Sequence, residues 1–406
     1  MKRSAEMRLL VAAFGDPGHA FPAIALGREL ASRGHRVVVE TWERWRDATE
    51  EVGLEFRAAE QYRVFPPPGP ESGDAGAADA AMALAPLLEE LEPDLVVSDI
   101  LTLAPALAAE VARVPRATLI PHIYPVHEPG LPFFAVGVQP PRTPVGRWLW
   151  RRSLPLLETG LRIGREELNG QRERLGLRPQ ARFHGGISEE LVLVGTFPHL
   201  EYPRVWPAHV KVAGPLHFQL PYRNIELPEG EQPLVLVAPS TSQDPRNRLV
   251  RMSLEALADE PVRVVATTNR VEPPEPIPVP GNAVLVDWLS YSQVMPQASL
   301  VVCHGGHGTV ARALGEGVPV LVCPAVGDMA ETAARVTWSK VGLSVPWRLC
   351  RPGPLRWAAR ELLGEPRFRE RAESIARWSE VNDGAARAAA LVEDQARATR
   401  RGTIRS

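Results

Sequence analysis

Apolar positions fall into two rhythms along the chain. Short continuous runs at 8–13, 36–40 and 94–98 read as buried strands of a parallel sheet. Between the first two, Ala23, Leu26, Gly27 and Leu30 recur at helical spacing. Pro22 suits the first helical position, and Gly34 is a natural stop. The turn-rich segment Gly15-Asp16-Pro17-Gly18-His19 is then a loop between the first strand and the first helix. Helical patterns follow at 77–91 and 102–111. A second series begins near Pro233, with strands at 234–238, 262–267, 283–286, 300–303 and 318–323, and helices at 248–258 and 310–315. Strands alternating with helices predict α/β architecture with helices on both faces of parallel sheets.

Three segments break the rhythm. Residues 121–150 carry seven prolines interleaved with Tyr124, Phe133, Phe134, Trp148 and Trp150, a long irregular stretch of the kind that is often functional. Arginines then dominate 142–182, read as a solvated helical face with an anion-binding patch as the alternative. Residues 203–232 are rich in Pro and Gly and read as a crossing linker. The expected division is therefore 1–202, a linker at 203–232, 233–385, and a C-terminal helix with a frayed tail at 386–406. A loop at 60–76, with Pro66-Pro67-Pro68, is placed beside the cleft between the two units.

Composition narrows the functional classes. A chain of 406 residues has room for two cores. The formal net charge of −2 gives no general attraction to nucleic acid, and no run approaches a bilayer-spanning length, so stable membrane insertion is not expected. Cys303, Cys323 and Cys350 show no CxxC spacing and read as reduced, buried thiols. With no recognisable leader at the N-terminus, the expected location is cytoplasmic. Oligomeric state stays open, a homodimer included.

The strongest chemical signal is His304-Gly305-Gly306-His307-Gly308-Thr309, between a strand and a helix. Glycines there allow close backbone approach, and a helix start favours a diphosphate. Thr309 can add a hydroxyl and His304 a ring N–H. A metal site on His304 and His307 lacks a clear third ligand, and a purely structural turn is the other alternative.

Residues 288–336 resemble the donor-binding signature of the UDP-glycosyltransferase family (glycosyltransferase family 1), most closely its bacterial natural-product branch. The matching parts are Trp288-Leu289, the 304–309 block, Gly317-Val318-Pro319, Gly327-Asp328 and Ala333-Ala334-Arg335-Val336. The resemblance implies a GT-B fold, two Rossmann-like doubly wound domains facing each other across a cleft. It implies a nucleotide-sugar co-substrate, TDP- or UDP-linked, with no other cofactor and no catalytic metal. Trp288, Leu289 and Tyr291 would lie at the nucleobase. His304, Gly305, Gly306, His307, Gly308 and Thr309 would hold the diphosphate, with Ser240, Thr241 and Ser242 on its other side. Asp328 would accept hydrogen bonds from sugar hydroxyls. His19 would be the general base of an inverting transfer, with Asp99 holding its ring. Tyr124, Phe133 and Phe134 would form the wall for a hydrophobic aglycone.

Three departures from the family pattern matter. Met329 stands where many relatives carry a sugar-binding Gln, which suits a less hydroxylated sugar. Arg312 stands where relatives carry the glutamate that grips both ribose hydroxyls, which favours a TDP-deoxysugar over a UDP-hexose. Some relatives place the dyad aspartate where this chain has Ala104. Two rival readings on the same plan are a nucleotide-sugar epimerase and a catalytically silent partner protein.

Overall fold

A computed structural model describes residues 6–59, 76–181, 186–220, 224–240, 244–325 and 327–403. The expected cleft-side loop at 60–76 lies almost wholly outside these residues, as do Thr241 and Ser242.

The first half builds a seven-stranded parallel sheet from β1 (Arg8–Ala12), β2 (Arg36–Thr41), β3 (Glu55–Ala58), β4 (Leu95–Asp99), β5 (Arg116–Ile120), β6 (Leu191–Val194) and β7 (Val210–Val212). Their order is β3-β2-β1-β4-β5-β6-β7. The second half builds a six-stranded parallel sheet from β8 (Leu234–Ala238), β9 (Arg263–Thr267), β10 (Ala283–Val286), β11 (Leu300–Cys303), β12 (Val320–Val322) and β13 (Gly342–Ser344). Its order is β10-β9-β8-β11-β12-β13. Strands buried on both faces explain the continuous Val/Leu runs. In each sheet the winding reverses once, between β1 and β4 and between β8 and β11. Ligands of open parallel sheets bind outside the carboxyl ends of strands at such reversals.

Several boundaries differ from the sequence expectation for local reasons. The first helix is Pro17–Ser32, so Pro17 rather than Pro22 starts it, and His19 lies in its first turn instead of in a loop. The Asp16 carbonyl receives the amides of His19 and Ala20, at 2.9 Å each. The expected helix over 77–91 is two helices, Ala77–Ala83 and Ala85–Leu91, parted where Pro86 lacks an amide for the ladder. The stretch 203–232 is not all linker, because its β7 completes the first sheet.

The chain also returns to its beginning. Ala388, Ala389, Val392 and Ala396 of the helix Gly384–Thr403 share a core with Leu9, Val11, Leu26 and Leu30. Arg400, expected in a frayed tail, donates to Asp94 Oδ1 at 2.7 Å. Glu393 Oε1 lies 3.0 Å from His35 Nε2, tying the same helix to the start of β2. All three cysteines are free and buried. No helix among the described residues is long and apolar enough to cross a membrane.

Candidate active site

The reversal in the first sheet brings His19 and Asp99 together. Asp99 ends β4 with its side chain wholly buried, and its Oδ2 lies 2.8 Å from His19 Nδ1. Asp99 Oδ1 accepts the Leu101 amide at 2.9 Å, which fixes the carboxylate. The imidazole therefore donates Nδ1–H to Asp99 and keeps Nε2 as the basic nitrogen. Burial alone would lower the His19 pKa, but Asp99 outweighs it, and Asp16 and Asp328 add to the rise, leaving the ring above its usual 6.5. Asp328 belongs to the second half of the chain, so its field on His19 spans the cleft. Ala104, the alternative dyad position, is buried in the helix Leu103–Val111.

A second histidine accompanies the first. His122 follows β5, with ring centroids 5.8 Å from His19 and 5.9 Å from Phe134, stacked on the latter. Its Nδ1 bonds the Ile123 carbonyl at 2.8 Å. Burial first, then the neighbouring His19, hold its pKa below the usual value. A neutral ring with Nδ1–H committed leaves Nε2 as an acceptor. The family resemblance pointed to His19 and Asp99 and not to His122, which stands just past the carboxyl end of β5 inside the proline-rich stretch.

Of the expected acceptor wall, Phe134 reaches the dyad through His122. Phe133 lies farther along, edge-on to His127 and Trp150. Tyr124 does not line an open wall. It is buried in a cluster with Ile120, Val192, Val194 and Val210, beside Trp206 and under Arg204. Its position two residues past β5 draws it into the sheet's own core.

The 304–309 block sits between β11 and the helix His307–Gly315. Gly305 adopts φ +90°, and a Cβ there would lie 2.6 Å from Val322 Cγ1 and 3.1 Å from the Met329 carbonyl. Only glycine fits without strain. A Cβ at Gly306 or Gly308 would meet nothing within 4 Å, so open space adjoins both. The amides of Thr309 and Val310 turn back onto the Gly306 carbonyl, leaving the His307 and Gly308 amides at the open end of the helix. Such an end attracts a diphosphate. Gly305→Ala is expected to destabilise the fold by about 1–3 kcal/mol. It should also weaken binding of a diphosphate at this turn about tenfold or more, seen by calorimetry and thermal melting.

The side chains of this block are disposed differently from the sequence expectation. His304 is buried, and its Nδ1 accepts the Ser240 amide at 2.9 Å. Its Nε2–H faces Asp244 Oδ2 at 3.4 Å instead of open space. Asp244, which sequence reasoning missed, also accepts the amides of Arg248 and Leu249 at 2.9 Å each. His304 thus braces the loops after β8 and β11 across the reversal of the second sheet. His307 turns away from the helix mouth: its Nε2 meets the Gly195 carbonyl of the first half at 3.3 Å, and burial pushes its pKa down to about 3. The Tyr291 hydroxyl receives Asn269 Nδ2 at 3.0 Å.

Around the expected nucleobase position, Leu289 is buried, and the Arg270 guanidinium covers one face of Trp288 at 5.1 Å. Arg312 does not face a free ribose site. It donates to the Phe218 carbonyl at 3.0 Å and to Gln219 Oε1 at 3.2 Å, and Gln219 Oε1 also receives Ser292 Oγ at 2.7 Å. Asp328 opens the helix Asp328–Trp338, exposed, behind Gly327 at φ +52°, with half-buried Met329 next to it. Among the described residues no group of three or more His, Cys, Asp or Glu side chains is assembled for a metal ion.

Comparison with known proteins bears on the family and the fold. A family model described as the erythromycin biosynthesis protein CIII-like C-terminal domain matches residues 251–386, and one described as glycosyltransferase family 4 matches 23–160. The chain is 30% identical to 4'-demethylrebeccamycin synthase of Lentzea aerocolonigenes, over 95% of its own length and 99% of that protein. It is 28% identical to O-mycaminosyltylonolide 6-deoxyallosyltransferase of Streptomyces fradiae, over 96% and 98%. Among solved structures, the glycotransferase of kitacinnamycin superimposes with a TM-score of 0.77 at 23% identity, covering 96% of this chain and 99% of that one. The two-sheet architecture is the GT-B fold.

Proposed function

The chain belongs to the UDP-glycosyltransferase family, in its bacterial natural-product branch, and from that premise we propose how its own residues carry out the transfer and on which substrates. The donor is a nucleoside diphosphate sugar, and the acceptor is a hydroxyl on a hydrophobic natural-product aglycone. The observation that carries the reading is the contact of half-buried His19 with buried Asp99 at 2.8 Å, within the field of Asp328 from the donor side of the cleft.

In the proposed reaction, His19 Nε2 takes the proton of the acceptor hydroxyl. That oxygen attacks the anomeric carbon as the bond to the diphosphate oxygen breaks. The nucleoside diphosphate leaves with the bonding electrons, and configuration inverts in the single displacement. Asp99 keeps the ring oriented and stabilises the imidazolium that forms. The open amides of His307 and Gly308, beside Gly305 and Gly306, stabilise the growing negative charge on the leaving group. Asp328 accepts from sugar hydroxyls, and Met329 offers an apolar contact beside it. Trp288 and Leu289 flank the base. His122 and Phe134 line the acceptor side next to His19. His304 helps through position, because its Nδ1 holds the Ser240 amide and its Nε2 lies 3.4 Å from Asp244 Oδ2.

TDP is the favoured nucleotide, and a deoxysugar the favoured cargo. Arg312 supplies no acceptor for a ribose 2′-hydroxyl and is itself bound to the crossing segment. The tylosin-type relative is named for transfer of a deoxysugar. Calorimetry with TDP and UDP is expected to give the tighter binding to TDP; clearly tighter UDP binding overturns the assignment. The epimerase and silent-partner readings gain no support, since the relatives named above are glycosyltransferases or a synthase and the His19–Asp99 pair is intact.

A further inference from the structure

The arginine-rich segment after the acceptor side has no part in the chemistry above. Between Glu128 and Glu158 the sequence holds four arginines, no lysine and no acidic residue. Its ordered centre is the helix Pro144–Arg152, which buries none of its residues. Thr143 caps it by accepting the Gly146 amide at 3.1 Å, so it is a formed helix and not a loose loop.

One face of this helix rests on the protein. Trp150 packs edge-on to Phe133 at 5.2 Å, and a Cβ on Gly146 would come 2.6 Å from Pro141 Cβ. The other face is apolar and uncovered. Val145, Trp148 and Leu149 fall at i, i+3 and i+4, on one side of the helix, and are 66%, 53% and 56% exposed. Arg152, seven residues from Val145, shares this face, Arg147 and Arg151 flank it on the side near Gly130, and Arg142 precedes the helix; all four are exposed and make no ion pair among the described residues. The Arg152 guanidinium lies 5.3 Å over the Trp148 ring, so cation and aromatic share one surface.

We propose that the helix Pro144–Arg152 docks this protein on an anionic lipid surface, lying in the headgroup plane with Val145, Trp148 and Leu149 facing the acyl chains. Apolar side chains including a tryptophan, bordered by unpaired arginines and free of acids, form the pattern of an interfacial helix. Each arginine gains from a negative headgroup, while the chain's net charge of −2 offers no such attraction elsewhere by default. The helix continues the segment that carries His122 and Phe134 at the cleft. Docking would bring the acceptor side to the place where apolar compounds concentrate, but the docking itself does not depend on the transferase reading.

The test is flotation of the full chain with phosphatidylcholine vesicles, alone and with about one-third phosphatidylglycerol. The chain is expected to float with the anionic vesicles and not with the neutral ones, and to be released at about 1 M salt, where the screening length falls to a few Å. The double variant Trp148→Ser/Leu149→Ser and the triple variant Arg147→Gln/Arg151→Gln/Arg152→Gln should each lower the bound-to-free ratio about tenfold or more. All substituted side chains are exposed, so melting temperature and TDP affinity should not change. Absence of flotation on anionic vesicles overturns the proposal, as does equal flotation of either variant. So would saturable binding of an acidic protein at this helix with none to vesicles.

Discussion

Replacing His19 by alanine is expected to slow sugar transfer roughly 100- to 10,000-fold, the range for loss of a positioned general base, while TDP binding stays within about twofold. The two effects separate because His19 stands on the first sheet and the glycine turn on the second. The pH profile supplies an independent reading. The folded protein holds His19 above its usual 6.5 because Asp99 outweighs burial. A base must be unprotonated to act, so kcat/KM should fall as pH drops through that raised value. Asp99→Asn removes the charge that raises it, so the acid limb should move to lower pH even as the maximal rate declines through loss of ring orientation. A His19→Ala protein with near-normal turnover, or an acid limb unmoved in Asp99→Asn, would remove the pair from the mechanism.

The parts of this molecule that were legible in its sequence are those governed by local chemistry. Runs such as Leu234–Ala238 and Leu300–Cys303 are apolar because strands of a parallel sheet are buried on both faces, so their limits match the pattern residue for residue. The resemblance implied the His19–Asp99 contact, and the winding reversal that makes β1 and β4 neighbours brings the helix after β1 to Asp99 at the end of β4. What stayed hidden depends on partners distant in sequence. Nothing local says that Tyr124 is covered by Trp206 and Arg204, or that His307 turns to Gly195. Nor does anything local say that His304 lies beside Asp244, sixty residues earlier in the chain. The docking of Ala388, Ala389 and Val392 on the first domain is of the same kind: their spacing announces a helix, and only the fold names its partner.

Arg335→Ala is expected to cost about 3–5 kcal/mol of stability, the range for breaking a buried ion pair from one side. Arg335 is buried on the helix that starts at Asp328, where its Nε donates to Glu331 Oε1 at 2.7 Å. Its Nη1 donates to the Leu200 carbonyl at 3.1 Å and lies 3.4 Å from Glu201 Oε2, both in the first half of the chain. Its guanidinium also lies 3.3 Å over the Tyr202 ring. Glu201 Oε1 accepts the Tyr124 amide at 2.8 Å, so one arginine connects the sugar-side helix with the segment leading to the acceptor side. Removing the cation leaves two buried carboxylates facing each other. Burial already raises the Glu201 pKa despite Arg335, and without Arg335 it should rise further. A carboxyl whose folded pKa is raised favours the fold at low pH and loses that advantage as pH climbs. The deficit of the variant, followed by thermal melting, should therefore shrink as pH is lowered through the carboxylate range. The triple change Arg335→Met/Glu201→Gln/Glu331→Gln removes cation and anions together and should recover most of the loss. Transfer by Arg335→Ala, assayed well below its melting temperature, should also weaken, because Asp328 and Met329 ride on the helix that Arg335 pins. A deficit of constant size across that pH range, or no recovery in the triple variant, would show that the ion pairs do not hold the two domains in register.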